Sequence, residues 1–245
     1  MLLQAYVNNG KLMSALVSVI VPTYNEAENI PELLERIDAT MRGRYLYEVI
    51  TVDDNSPDGT AEVARKLSSR FPVKVVVRQA RMGLSSAVVD GFKNAIERYR
   101  AEIDADLQHP PEVIPDLIQK LEEGYQVAIA SRYIQGGGTV GFSYIRRIIS
   151  KGAAMLGWIM LPQTRGIRDV MSNFFAIRRE LTLGETKLKG FKILLEILSA
   201  RCPEKVAEVP YVFQRRKYGK SKLTFKEIIN YSQRFIQVAE NIWKL

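Results

Sequence analysis

Short runs of β-branched and apolar residues, separated by stretches of helical periodicity, set the first limit on how this chain folds. Leu16–Val21, Val49–Val52 and Val73–Val77 read as strands, a fourth precedes Asp104, and Val127–Ala130 reads as a fifth. Between them Ala27–Met41 reads as a helix, with Asn25 and Glu28 at the spacing of a capping box. Ser56-Pro57-Asp58 opens the next helix with proline at its first position, and another runs from about Leu84 to Ile96. Such alternation needs crossover connections, and therefore a mostly parallel α/β sheet. Ligands of these sheets lie at the carboxyl ends of the strands.

The polar clusters of the first half fall at those ends. Pro22-Thr23-Tyr24-Asn25-Glu26 follows the first strand, Asp53-Asp54-Asn55-Ser56 the second, Asp104-Ala105-Asp106-Leu107-Gln108 the fourth and Ser131-Arg132-Tyr133 the fifth. Each alone serves equally well as a helix cap. Four on one rim read as a site. The Asp104–Gln108 segment is the most informative of them. A carboxylate with a carboxamide two places on can hold a hard cation, Mg²⁺ or Mn²⁺, which keeps waters and completes its shell with substrate phosphates. That points to chemistry on a nucleoside diphosphate.

Composition narrows the alternatives. The 245 residues, 47% of them hydrophobic, suffice for one sizeable core. A single cysteine, Cys202, excludes an internal disulfide and fits a reducing compartment. A single histidine, His109, excludes a multi-histidine zinc site and disfavours a Ser-His-Asp triad; beside Pro110 it reads as a supporting group and not a catalytic one. The net charge of +8 is uneven: residues 1–140 carry −4 and residues 141–226 carry +12. A basic half seeks lipid phosphate, an anionic membrane surface or nucleic acid. Residues 1–15 have no basic leader pattern and read as a loose N-terminal extension, not a signal peptide. The longest apolar run, Ala153–Leu161, is far below the ~20 residues that span a bilayer, so no transmembrane helix is expected.

In the second half Gly136-Gly137-Gly138 reads as a flexible break and a mobile loop over the site. Tyr144–Met160 has helical spacing, Asn173–Ile177 and Val206–Phe213 read as strands, and Phe191–Ala200 as a helix. Gln214–Lys222 is a basic loop. Phe225, Ile228, Ile229, Ser232, Phe235, Ile236, Ala239 and Trp243 then mark an amphipathic helix, read either as packing on the domain or as membrane or partner contact. The expected organisation is residues 1–15 as extension, 16–223 as catalytic domain and 224–245 as amphipathic helix.

Val19–Glu26, Val52–Thr60, Gly83–Ala87, Asp104–Glu112, Ser131–Tyr133 and Gly219–Leu223 together resemble the family-2 glycosyltransferases of the GT-A fold. Within them the chain is most similar to the dolichyl-phosphate (polyprenyl-phosphate) mannosyltransferases. The resemblance spans Leu16 to about Leu223. Asp-Ala-Asp-Leu-Gln-His-Pro-Pro is its most specific string. It implies an α/β fold with a Rossmann-like, mixed but mostly parallel sheet flanked by helices, and C-terminal amphipathic helices. It also implies transfer of mannose from GDP-mannose to a dolichyl or polyprenyl phosphate with inversion.

By the same resemblance Pro22, Tyr24, Glu26, Val52 and Asp54 would hold the nucleoside. Asp104 and Ala105 would face ribose and diphosphate, and Asp106 and Gln108 would bind the metal. Arg132 would stand at the sugar and phosphate end, Arg146, Ser150 and Lys151 at the lipid phosphate, and Lys192, Arg216 and Lys222 over donor and acceptor phosphates. Asp106, Arg132 and Asp169 are the catalytic candidates, although Asp169 serves equally as an acceptor-orienting group or a turn cap. Implied partners are the nucleotide sugar, the lipid phosphate, a membrane surface and a small membrane-anchoring subunit, with no nucleic acid. The implied location is peripheral, on a cytoplasmic membrane face.

Two departures stand out. Val170 and Asn173 replace the proline and glycine of the family pattern around Asp169. More seriously, Arg100 and Glu102 alternate with Tyr99, Ala101 and Ile103 in the strand before Asp104, so both would point into a packed layer. Either they find partners, or the strand is shorter and wetter than usual. The rival readings are a UDP-glucose enzyme of the same fold, a catalytically inactive nucleotide- or lipid-binding subunit, and a nucleic-acid binder on charge alone.

Overall fold

The computed structural model describes residues 16–141, 164–184 and 192–218, together with Trp158 and the paired segments 7–8 and 11–12. Strands β1 (Val7–Asn8) and β2 (Lys11–Leu12) form a two-residue antiparallel pair. The main sheet then takes β3 (Leu16–Thr23), β4 (Leu46–Asp53), β5 (Val73–Val77), β6 (Tyr99–Glu102) and β7 (Val127–Ser131). After the short β8 (Gly138–Thr139) come β9 (Phe175–Arg178), β10 (Val206–Pro210) and the short β11 (Val212–Phe213). The seven-stranded order is β10-β7-β9-β6-β3-β4-β5. Only β9 runs antiparallel, between β6 and β7. The sheet is thus mixed but mostly parallel, as the strand–helix alternation requires.

Helices cover both faces, which is why the central strands are apolar on both sides. Val17, Val19 and Val21 of β3 pack with Leu33, Leu34 and Ile37 of α1 (Ile30–Met41) and Leu117, Ile118 and Leu121 of α4 (Ile114–Glu122). On the other face Ile20, Ile50 and Val52 pack with Ala87, Val88 and Phe92 of α3 (Leu84–Asn94). That layer continues through Leu194, Leu195 and Ile197 of α5 (Ile193–Arg201). Each such aliphatic side chain removed from water contributes roughly 1.5–3 kcal/mol.

From β3 the sheet grows through β4 and β5 on one side, and the chain then crosses to β6 on the other. The crevice between the carboxyl ends of β3 and β6 is therefore the topological switch point, where open α/β sheets bind ligands.

Several local expectations change. No capping box forms at Asn25: it lies at φ 54°, its amide donates to Ser56 Oγ at 2.9 Å, and α1 begins after Asn29 without a side-chain cap. Helix α2 (Thr60–Leu67) starts after Gly59 at φ 82°, so Pro57 lies in the preceding turn and not at the first helical position. The reason is shared: the loops after β3 and β4 bond to each other before either helix starts. Val206–Phe213 breaks at Tyr211, because β10 pairs with β7 whereas β11 pairs with β8. The Gly136–Gly138 segment is a packed turn. Gly137 donates to Ile134 O at 2.9 Å, and a Cβ there would lie 2.6 Å from Ser131 O, so glycine serves close approach and not looseness. Residues 219–245, with the expected C-terminal amphipathic helix, and most of Tyr144–Met160 lie outside the described residues.

Candidate active site

The first wall of the crevice is made by the loops after β3 and β4. Asp53 ties them together, accepting from Thr23 Oγ1 at 2.8 Å, Ser56 N at 2.8 Å and Ser56 Oγ at 2.5 Å. Asp58 accepts from Thr60 N at 3.0 Å and from Ala27 N at 3.1 Å, closing the turn before α2 and fixing the neighbouring loop at once. Asp53 and Asp58 thus shape the wall. Asp54 points elsewhere: its carboxylate lies 3.0 Å from Arg78 Nη1 and accepts from Gly83 N at 3.0 Å. Burial pushes the Asp54 carboxyl above its usual range, while the Gly83 N–H and the Arg78 charge pull the other way. Arg81 stacks over Tyr24 with 4.5 Å to the ring centroid. Pro22 and Glu26 are buried beside them. Val52 has its side chain wholly in the core and can offer a ligand only backbone.

The floor is the turn after β6. Ile103 N bonds Ile20 O at 3.1 Å, which carries the sheet register to Asp104. Leu107 then takes φ 60°, an uncommon conformation for a residue with a branched side chain. This reversal lets Asp106 Oδ1 accept from Gln108 N at 3.1 Å. The other oxygen, Oδ2, accepts from Arg216 Nη2 at 2.6 Å, and Arg216 Nη1 lies 3.5 Å from Glu26 Oε1. Gln108 Nε2 donates to Gln214 O at 3.0 Å, and Gln214 N donates to Gln108 O at 2.8 Å. The segment after β11 is thereby held against the Asp106 turn. Burial raises both carboxyls; Lys192 opposes this at Asp104, whereas the Asp104 charge adds to it at Asp106.

The far wall carries cations on a buried acidic base. Arg132 grips Asp169 in a fork, Nε to Oδ2 and Nη2 to Oδ1 at 2.7 Å each, and its backbone N adds a third bond at 2.9 Å. Asp169 is fully buried, and its hydrogen bonds hold the Arg132 guanidinium above its already high range against the cost of burial. Glu208 in turn accepts from Arg168 N at 2.9 Å and Asp169 N at 3.0 Å. Asp169 is therefore a positioning residue for Arg132. Lys192 Nζ donates to Asn173 Oδ1 at 2.8 Å, and Asn173 Nδ2 lies 3.4 Å from Asp104 Oδ2. Burial lowers the Lys192 ammonium, with Asp104 opposing.

His109 is enclosed by Phe174, Tyr211 and Phe213, with ring centroids 5.1–5.6 Å away, and its Nδ1 lies 3.6 Å from Asp104 Oδ2. Burial brings its pKa down to about 4, so it is neutral near pH 7. It supports the turn and is not placed as a base. Behind the floor, Arg100 and Glu102 are both buried in a strand of only four residues and do not pair with each other. Arg100 finds Thr182 Oγ1 at 3.0 Å and Ala95 O at 2.9 Å. Neither carboxyl oxygen of Glu102 has a hydrogen-bond partner among the described residues, and burial, with the Asp104 charge, raises its pKa well above the usual range.

Among the residues expected from sequence, Glu26, Asp104, Asp106, Gln108, Lys192 and Arg216 are brought together through the contacts above, and the Arg132–Asp169 pair acts electrostatically on Lys192 and His109. Asp54 bonds to the loop before α3 on its own side. Arg146, Ser150, Lys151 and Lys222 lie outside the described residues. Sequence reading missed Arg78, Asn173, Glu208 and Gln214. Asn173 alone carried a signal, since it stood where the family pattern has glycine.

Among the described residues no three His, Cys, Asp or Glu side chains gather to hold a metal unaided. Asp106 with the Gln108 carbonyl is nonetheless a fitting donor pair for Mg²⁺ or Mn²⁺, which take oxygen ligands and draw the rest from water and phosphate. The Arg216 guanidinium supplies positive charge at Asp106 in this structure.

Against known proteins, the family model described as Glycosyl transferase family 2 matches residues 18–183. A dolichol-phosphate mannosyltransferase of Pyrococcus furiosus is 52% identical over 216 residues, covering 88% of this chain and 61% of that protein. This chain thus spans about three fifths of that relative. The Saccharomyces cerevisiae dolichol-phosphate mannosyltransferase is 39% identical over 234 residues, covering 90% and 86% respectively. A solved glucosyl-3-phosphoglycerate synthase from Mycobacterium tuberculosis, in complex with Mn²⁺, UDP-glucose and phosphoglyceric acid, superposes with a TM-score of 0.72. It is 19% identical and covers 93% of this chain and 79% of its own. At that identity it shares the GT-A fold and no more. With more than half its length matched and these relatives well above 30% identity, the chain belongs to glycosyl transferase family 2.

Proposed function

We propose that the protein transfers mannose from GDP-mannose to a dolichyl or polyprenyl phosphate, inverting the anomeric centre, at the cytoplasmic face of a membrane. The observation that carries this reading is the meeting, at one switch point, of the Asp104–Asp106–Gln108 turn with Arg132, Lys192 and Arg216. Acidic groups that favour a metal–diphosphate and cations that favour phosphate oxygens meet there, Arg216 directly on Asp106 and Lys192 next to Asp104 through Asn173. The relatives named for dolichol-phosphate mannosyl transfer support the same acceptor and sugar.

The chemistry suits these side chains. A phosphate monoester has a second pKa of about 6, so the acceptor is largely dianionic at neutral pH and needs no general base. A buried, neutral His109 is compatible with that, because no residue has to accept a proton. The reaction needs an in-line approach to the anomeric carbon and a stabilised diphosphate leaving group. Direct displacement turns an α-linked donor into a β-linked lipid phosphate. Asp106 and Gln108 would hold Mg²⁺ or Mn²⁺, which when bound neutralises charge on the departing diphosphate. Arg216 and Lys192 would hold diphosphate oxygens, and Arg132, locked by Asp169, would keep a fixed fork towards sugar and phosphate. Arg146, Ser150, Lys151 and Lys222 complete the proposal at the lipid phosphate and over the donor. No helix among the described residues is long and apolar enough to cross a membrane. Peripheral attachment, through basic surface or a small anchoring subunit, is part of this proposal.

Equilibrium binding tests the donor side. GDP should bind with Mn²⁺ present, more tightly than UDP and far more tightly than GMP, and Asp106→Ala should abolish the Mn²⁺ dependence. Equal affinity for GDP and UDP would move the reading to another nucleotide sugar. Unchanged Mn²⁺ dependence in Asp106→Ala would refute the metal assignment.

A further inference from the structure

A second cavity lies at the other end of β6 from Asp104, between the end of α3 and the turn after β9. It holds about 590 Å³. Its wall divides chemically. Phe92, Ala95 and Leu183 give an apolar side, while Lys93, Arg100 and Arg179 bring three cations against the single carboxylate of Glu180.

Arg100 is the unusual member. It is only 4% exposed, its neutral partners are Thr182 Oγ1 and Ala95 O, and its Nε is buried without a hydrogen bond among the described residues. No carboxylate pairs with it among the described residues. A guanidinium removed from water in this way is costly unless an anion joins it. Its surroundings reinforce the deficit: burial lowers its pKa, the Arg179 charge adds to that, and the Glu48 carboxylate opposes both. Arg179 itself spends one N–H on Ile96 O at 3.3 Å, and the exposed Lys93 is held loosely by Asp90 at 3.6 Å. Both can turn donors towards a ligand. A central strand covered on both faces has no packing reason to carry arginine.

We propose that this cavity binds a phosphomonoester, its phosphate held by Arg100, Arg179 and Lys93 and its organic part laid against Phe92, Ala95 and Leu183. Guanidinium pairs match a tetrahedral dianion with several oxygens to satisfy, and the apolar wall favours an ester over inorganic phosphate. The site is separate from the catalytic crevice and shares no residue with it. The same chemistry fits a free metabolite or a lipid phosphate headgroup.

The test is calorimetric titration of the full chain with phenyl phosphate and with inorganic phosphate, with and without saturating GDP and Mn²⁺ to occupy the donor site. Wild type should show a binding event that persists with GDP present, and phenyl phosphate should bind more tightly than inorganic phosphate. Arg179→Ala, an exposed change that leaves the core alone, should weaken it at least tenfold. Arg100→Met should remove it, with folding checked by its thermal transition. An event unchanged in Arg179→Ala and in folded Arg100→Met, or no event at all with GDP present, overturns the proposal. Co-sedimentation with phosphatidic acid vesicles separates the sources. Vesicle binding lost in Arg179→Ala assigns a lipid headgroup, and vesicle binding unchanged alongside lost phenyl phosphate binding assigns a soluble ester.

Discussion

Arg216 stands on the carboxylate that would receive the divalent cation, so removing it should make the nucleotide-free protein bind metal more tightly. The pair is short, 2.6 Å, and largely shielded, with side-chain exposures of 19% for Arg216 and 12% for Asp106. At an effective dielectric near 20, unit charges ~4 Å apart interact by about 4 kcal/mol. Partial solvation and the ordering of a long side chain reduce this, and hydrogen bonds to charged groups contribute about 1.5–3 kcal/mol net. A metal must overcome that contribution to reach Asp106. Taking about 1.5–2 kcal/mol, and about 1.4 kcal/mol per tenfold, Arg216→Ala should tighten Mn²⁺ binding roughly 10–30-fold. Manganese electron paramagnetic resonance, counting free Mn²⁺ against protein without nucleotide, reads this directly. The same variant should bind GDP–Mn²⁺ less well, because it lacks the arginine proposed to contact the diphosphate. Tighter metal with weaker nucleotide is the signature. Mn²⁺ affinity that is unchanged or weaker in Arg216→Ala would refute the idea that arginine and metal compete for Asp106.

Other perturbations follow from the same geometry. Glu102→Gln should change the pH dependence of stability. The raised Glu102 pKa means that the folded state keeps a proton the unfolded state releases above ~4.5, so wild-type stability declines as pH rises through that window, by up to about 1.4 kcal/mol per unit. Thermal melts from pH 5 to 8 should show the variant gaining on wild type as pH rises; a pH-independent difference would mean that Glu102 is not held protonated. Asp169→Asn leaves Arg132 buried without its counter-charge, and should cost about 3 kcal/mol and lower the melting temperature by about 6–12 °C. Activity should then fall even below the new transition; a variant with normal melting and turnover would contradict the positioning role. His109→Phe retains the ring packing against Phe174, Tyr211 and Phe213 and should keep at least half of the transfer rate, whereas its loss would point to a proton-transfer role.

The fold was legible because it rests on period and burial. β5 falls at Val73–Val77 as expected, β3 and β7 extend past their apolar cores into the polar residues that begin the site, and β4 does so at Asp53 while also starting three residues earlier, at Leu46. Ends of elements were not legible where two loops bond to each other, as Asn25 with Ser56 and Asp58 with Ala27. Local propensity knows nothing of a partner thirty residues away. For the same reason Asp169 read equally as acceptor contact or turn cap: its function lies in Arg132, 37 positions earlier, and in Glu208, 39 later. The glycine triplet suggested looseness because composition records conformational freedom but not the carbonyl of Ser131 pressed against Gly137. Arg100 and Glu102 were recognisable as misfits from alternation alone. What Arg100 does depends on Thr182 from the turn after β9, and what Glu102 does depends on burial and on Lys192, which no local pattern brings near.

The measurement that bears most directly on the central claim is transfer of radiolabelled sugar into organic-extractable lipid, with polyprenyl phosphate as acceptor. Parallel reactions would use GDP-mannose, UDP-glucose and UDP-N-acetylglucosamine, each with Mn²⁺ or with EDTA. The account predicts label in lipid from GDP-mannose, little from either UDP sugar, and loss of that label with EDTA. Label from UDP-glucose instead, or no label from any donor in a protein that still binds nucleotide, would contradict it.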